Sequence, residues 1–146
     1  MGLEFFVPSN RRTRKGEPAH LDGLNELVRG DRTGRGFANS LKRANADSVE
    51  AACREAMREQ GWKTPRCKCI VTLTFVETDR SRDPDNIFGG AKFILDGISK
   101  PKARKRYGAG AIVDDSQKWI ELHLNPEIRA DKSNPGCWVK IEEMEM

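Results

Sequence analysis

The run Cys67-Lys68-Cys69-Ile70-Val71-Thr72-Leu73-Thr74-Phe75-Val76 decides how this chain folds. Cys67, Cys69, Val71, Leu73 and Phe75 alternate onto one face, and Lys68, Ile70, Thr72, Thr74 and Val76 onto the other, which is the period of a strand. Ile70 and Val76 on the second face predict cover on both sides, hence a central strand. Directly beyond it, Asp79-Arg80-Ser81-Arg82-Asp83-Pro84-Asp85-Asn86 is polar and turn-forming. From Ile87 to about Ser99 the period becomes helical, with Phe88, Ala91, Ile94 and Leu95 on the inward stripe. Asp85 or Asn86 is the expected N-cap, and Gly89-Gly90 weakens the helix by roughly 1 kcal/mol per glycine.

Working outward, Leu3 to Val7 reads as a first strand stopped by Pro8-Ser9-Asn10, and Leu41 to Gln60 as a packing helix. Its expected start is Asn39-Ser40, or Asp47-Ser48 if that pair interrupts it, and Gly61 supplies its stop. Arg11 to Phe37 is polar, rich in glycine and arginine and without clear period, so it is expected to be a flexible loop. It opens with Arg11, Arg12, Arg14 and Lys15, which read equally as a solvated face or as a phosphate-contacting arm. On the C-terminal side, Lys100-Pro101-Lys102-Ala103-Arg104-Lys105-Arg106 is a basic run with no acid inside it, and residues 100–110 form a loop. Lys118 to Leu124 alternates as a strand, Asn125 to Pro135 is a polar connection, and Cys137 to Ile141 is a last strand before an acidic tail. The order predicts a mixed α/β (α+β) fold: one small domain with a mixed sheet and two main helices, spanning residues 1–146.

Composition narrows function. Charged residues make up 33% of the chain and hydrophobic ones 37%, with a formal net charge of +4. A soluble protein with a polyanionic partner fits that balance. No apolar run approaches the ~20 residues of a membrane span, and the first residues lack a signal-peptide pattern, so no membrane partner and a cytoplasmic location are expected. Cys53, Cys67, Cys69 and Cys137 lack zinc-site spacing and read as small buried hydrophobes. His20 and His123 are far apart in sequence and suggest no metal or triad pattern.

The chemistry-bearing residues are carboxylates. Asp83 and Asp85 are two apart at a strand end, with Pro84 fixing the backbone between them. Asp114 and Asp115 precede another strand and can reach the same pocket if the two strands are neighbours. Several carboxylates at close range need a proton or a cation, and hard oxygen donors suit Mg²⁺, with Mn²⁺ as a substitute. Lys92, on the same helix face as Asp96, is placed to stabilise charge developing on a phosphate. Arg80, Arg82 and the run Lys100, Lys102, Arg104, Lys105 and Arg106 give the acids a basic setting, as cleavage of a phosphodiester requires. Each acidic pair also has a plainer reading, as a helix cap or a turn.

The pattern Arg82-Asp83-Pro84-Asp85-Asn86, then Lys92 and Asp96-Gly97, then Asp114-Asp115-Ser116-Gln117, resembles the RusA family of Holliday-junction resolvases. Val7-Pro8-Ser9-Asn10 is similar to that family's turn after the first strand. The resemblance implies a homodimeric, Mg²⁺-dependent endonuclease of mixed α/β fold that nicks four-way DNA junctions in symmetric pairs. It implies that Asp83, Asp85 and Asp115 are the metal-binding catalytic aspartates, with Asp114 beside or in place of Asp115, and that Lys92 is the essential lysine. The spacing from Asp85 to Lys92 is longer than in the family pattern, and the run from Lys100 to Arg106 looks like an insertion. Competing expectations are selectivity for other branched or flap DNA, a catalytically silent DNA-binding module, or an RNA-binding basic protein. The single tyrosine counts against the last of these.

Overall fold

The structure, a computed structural model, describes residues 2–23, 25–26, 28–29 and 34–144, with the side chains of 35–39 left outside the description. Its named elements are β1 (Gly2–Pro8), α1 (Arg35–Gln60), β2 (Cys69–Glu77), α2 (Pro84–Phe88), α3 (Ala91–Ile98), β3 (Ile120–Leu124), β4 (Arg129–Ala130) and β5 (Gly136–Glu143). The sheet order is β1-β5-β2-β3, with β4 also on β2. β2 is antiparallel to β5 but parallel to both β3 and β4, so the sheet is mixed, as expected. The fold is one small α/β domain.

Alternation builds the core. Leu3, Phe5 and Val7 of β1, Val71, Leu73 and Phe75 of β2, and Val139 and Ile141 of β5 are buried together. The same layer takes Val49, Cys53 and Ala56 of α1 and Ile94 and Ile98 of α3. β2 is covered on its second face too, where Thr74 and Val76 are buried. Cys53, Cys69 and Cys137 are buried free thiols. Burial pushes the first two up to about 12 and about 11, so they stay protonated and pack as small hydrophobes.

Several boundaries differ from expectation, each for a local reason. α1 starts at Arg35, not at Asn39-Ser40 or Asp47-Ser48. The polar residues that suggested a start bond along the helix instead. Ser48 donates to the Ala44 carbonyl at 3.4 Å, and Asp47 pairs with Arg43 at 2.9 Å. Gly61, at φ 68°, closes the helix in the left-handed conformation with its N–H on the Met57 carbonyl. The expected helix from Ile87 to Ser99 is two helices, because Gly89-Gly90 breaks it. Its first turn begins at Pro84 with Asp83 in the N-cap position, not at Asp85 or Asn86, since proline's fixed φ suits a helix start. Cys67 lies outside β2, β4 sits within the connection read as irregular, and β5 extends into the acidic tail as far as Glu143. The 11–37 segment, expected to be a loop, has helical backbone at 25–26, 28–29 and 35–37; positions 24, 27 and 30–33 lie outside the described residues.

Helices α1 and α3 meet at Gly97. A Cβ there would lie 2.5 Å from Val49 Cβ and 3.0 Å from the Ala46 carbonyl oxygen. The clash is with a β-carbon and backbone, neither of which can rotate away. Gly97→Ala should therefore destabilise the fold by about 1–3 kcal/mol, net of the ~1 kcal/mol that alanine gains in helix propensity. Urea unfolding checks this, and an unchanged or raised midpoint would mean the helices separate freely there.

Candidate active site and its basic surroundings

β2 ends at Glu77, and the chain turns sharply: Ser81 donates from both its N–H and its hydroxyl to Asp79, at 2.9 and 2.6 Å. Arg82 then folds back. Its Nε and Nη2 donate to the two Glu77 carboxylate oxygens at 2.7 and 3.0 Å, and Nη2 also reaches the Leu21 carbonyl at 3.0 Å. Nη1 lies 3.4 Å from Glu26. With Arg82 13% and Glu77 3% exposed, this is an interior ion pair. Arg82 was expected to touch DNA; its guanidinium is engaged inside the protein, where it sets the start of α2. Asp83 and Asp85, at the N-cap and in the first turn, are exposed. Asn86 accepts from the Asn25 N–H at 2.8 Å, tying α2 to the N-terminal segment.

That segment is held by a buried carboxylate that the sequence reading passed over. Asp22, 3% exposed, accepts from Arg11 Nε at 2.9 Å and from Asn45 Nδ2 at 2.7 Å. Arg11 is thus partly engaged, whereas Arg12, Arg14, Lys15 and Arg80 are exposed. A buried aspartate has no periodic signature in sequence, because Leu21-Asp22-Gly23 looks like any turn.

The second acidic pair sits elsewhere. Ser99 bridges to Ile112, and Ala109, Gly110 and Ala111 donate to the carbonyls of Gly97, Ser99 and Ile98, which returns the chain along the end of α3. Asp114 and Asp115 follow, and the Lys102 ammonium rests against both, in contact with Asp114 and 3.9 Å from Asp115. Asp114 Oδ1 is shut off from solvent and has no hydrogen-bond partner in good geometry, so that ammonium is its main compensation. The Lys102 contact, with help from Ser116 and the Asp115 backbone, holds the Asp114 carboxyl down to about 2. Lys105 donates to the Asp96 carbonyl at 2.6 Å, and Lys92 pairs with Asp96 at 3.6 Å. Within the basic run, Lys102 therefore has acidic partners from later in the chain, and Lys105 a backbone carbonyl from α3. Lys100, Arg104 and Arg106 remain exposed.

The strands flanking the two acidic pairs are neighbours, as the single-pocket expectation required. They are parallel, however, with Cys69 opposite Ile120, so both strands start at the same end of the sheet. Asp83 and Asp85 follow the finish of β2 while Asp114 and Asp115 precede the start of β3, so the two pairs adjoin opposite ends of the parallel strand pair. Among the described residues no three His, Cys, Asp or Glu side chains gather as a metal-holding group. Within one chain the four aspartates form two pairs, not one cluster. Among the described residues, no helix is long and apolar enough to cross a membrane.

Two outcomes follow from this geometry. Arg82→Gln should cost about 3–5 kcal/mol, because it leaves Glu77 charged and buried without its partner; a surface contact would give a loss under ~1 kcal/mol in denaturant titration. In Lys102→Met, the Asp114 carboxyl should titrate clearly above the about 2 of the wild type, towards its ordinary 3.8, read by carboxyl-carbon NMR. Since folding lowers this group's pKa, the pair adds stability above about pH 4, and that stability fades as the pH falls towards 2. An identical midpoint in the variant would remove Lys102 as the cause. Neither a protein-family model nor a curated protein matches this chain.

Proposed function

We propose that this protein is a Mg²⁺-dependent endonuclease for branched DNA, acting on four-way junctions as a homodimer in the manner of the RusA family it resembles. The observation that carries the reading is the pair of exposed carboxylates Asp83 and Asp85, fixed at a helix start by the interior Arg82–Glu77 bond. Exposed acids on an anchored backbone suit a hard cation, which needs only one or two protein carboxylates and keeps its waters. Asp83 and Asp85, with Asp115 and Asp114 as the second pair, are the residues that would hold it; at Asp114 the metal would take the place of the Lys102 ammonium. When bound, the metal supplies polarisation of the phosphoryl oxygen and a nucleophilic hydroxide. Lys92 carries the charge that develops on the phosphate, and Arg12, Arg14, Lys15, Arg80, Lys100, Arg104 and Arg106 attract the backbone.

The separation of the two acidic pairs supports the dimer. A two-fold axis perpendicular to β2 reverses its direction, so the Asp114–Asp115 end of one protomer faces the same way as the Asp83–Asp85 end of its partner. A site that needs both pairs is then completed between copies, and two such sites match the two-fold symmetry of a junction. One observation favours a catalytically silent DNA-binding module instead: Lys102 already neutralises Asp114 and Asp115 with the protein's own cation.

A synthetic four-way junction and a linear duplex of the same sequence, with and without Mg²⁺, separate the two. The nuclease reading expects paired nicks in the junction alone. It also expects Asp85→Asn to slow them by at least about 100-fold while junction binding is kept or tightened. Tight binding with no nicking in Mg²⁺ or Mn²⁺ would establish the silent module.

A further inference from the structure

A cavity of about 440 Å³ opens between α1, α3 and the 100–110 loop, walled by Lys42, Arg43, Lys92, Arg104 and Lys105. Tyr107 and Asp96 complete its lining. Five cations therefore surround one carboxylate, and their internal compensation is uneven. Arg43 pairs with Asp47 at 2.9 Å and Lys92 with Asp96 at 3.6 Å. Lys105 meets only a neutral carbonyl oxygen at 2.6 Å, that of Asp96. Lys42 is half-buried, and among the described residues neither it nor Arg104 has an ion-pair partner. Lys42 can bury its stem against the wall while its ammonium stays free for an anion.

Tyr107 organises the cavity. The Arg43 guanidinium lies 4.8 Å from the ring centroid and the Lys105 ammonium 5.0 Å, so one aromatic ring steadies two like charges. Burial pushes the Tyr107 phenol up, so its hydroxyl keeps its proton and can donate. Guanidinium forks, ammonium groups and a phenol are all donors, which matches a group whose oxygens only accept. A phosphoryl group is that ligand. Lys100 and Arg106, exposed in the same loop, extend the positive field beyond one phosphate, which suits a strand better than a free ion.

We propose that this cavity seats one backbone phosphate of the bound nucleic acid, with Lys42, Arg104 and Tyr107 as its specific contacts. The identification of the strand as DNA rests on the function proposed above; the phosphate chemistry does not. Lys42 and Arg43 come from α1, whose expected role was packing, and Tyr107 from a stretch read only as loop.

The test is binding to the four-way junction by fluorescence anisotropy in EDTA, across a salt series, using Lys42→Gln/Arg104→Gln. Its charge-matched control is Arg129→Gln/Lys132→Gln. The pocket variant should bind about 10-fold more weakly, and its slope of log K against log salt should flatten by about 2. Its unfolding midpoint should be unchanged, since neither side chain has a partner to lose. Inorganic phosphate should shift the amide NMR signals of Lys42, Lys105 and Tyr107 in the wild type and not in the variant. Equal losses in the pocket variant and the control would reduce the effect to net charge and overturn the proposal. Phosphate-induced shifts with unchanged junction binding would assign the cavity to a free phosphorylated molecule and overturn its role in strand binding. No shift and no loss would overturn it entirely. Cleavage does not enter the readout, so a protein that never nicks DNA can still pass, and failure here leaves the nuclease reading where it stood.

Discussion

Parallel pairing of β2 with β3 is the constraint on which the rest of this structure depends. Two parallel neighbours cannot be joined by a tight turn, because the chain finishes β2 at one end of the sheet and must begin β3 at the other. Residues 78–119 make that return journey. α2 and α3 run back across the sheet, burying Ile87, Phe93, Ile94 and Ile98, and the segment through Ala111 and Ile112 completes the path beneath the indole of Trp62, whose Nε1 donates to the Ala111 carbonyl at 3.0 Å. Every candidate catalytic residue lies on this connection. The acidic pairs mark its two ends, and Lys92 and the basic loop lie between them.

A connection this rich in charge needs its ends fixed, and each end uses a different physical device. At the departure, Arg82 and Glu77 form a nearly dry bidentate pair, in which neither charge has water to fall back on. Such a pair is held firmly by the cost of separating it, whatever its net contribution to stability. At the return, Lys102 and Asp114 meet on a partly open surface, where lysine's flexible stem can leave without unfolding anything. The first device is structural. The second is exchangeable, and a cation competing for Asp114 and Asp115 displaces one lysine side chain, not a buried network.

The legibility of these features in the sequence followed their range. Strand alternation in Leu3–Val7 and Cys67–Val76 is local, and so is the stop at Gly61; all three read from neighbours along the chain, with Cys67 the residue that falls outside its strand. The break at Gly89-Gly90 was visible as a weakness but not as an end; what the sequence could not show is the close approach of the Asp22 carbonyl, 2.9 Å from where a Cβ at position 90 would lie. Asp47-Ser48 misled in the opposite direction, since residues that favour caps also bond along a helix when tertiary contacts hold it. What could not be read at all was the direction of β3 relative to β2. Its side chains alternate identically in either sense. That one unread sign turned an expected single cluster of four aspartates into two pairs.

The same distinction applies to the cations. In sequence, Arg11, Arg82, Lys102 and Lys105 are indistinguishable from Arg14, Arg80, Arg104 and Lys42, and a basic run invites the inference that all of it faces a polyanion. The fold sorts them. Arg82 holds a strand end, Arg11 a buried aspartate and Lys102 an acidic turn, so their charges are largely compensated before any ligand arrives. Two of those left uncompensated, Lys42 of α1 and Arg104 of the 100–110 loop, come from segments some sixty residues apart and line one cavity. Attraction for an anion is set by that remainder and not by the count of basic residues, which is why the formal charge of +4 is a poor guide to where a phosphate would sit. Unpaired cations that meet in one cavity from distant segments are a more specific signal than a basic run, because part of such a run is spent on the protein's own acids.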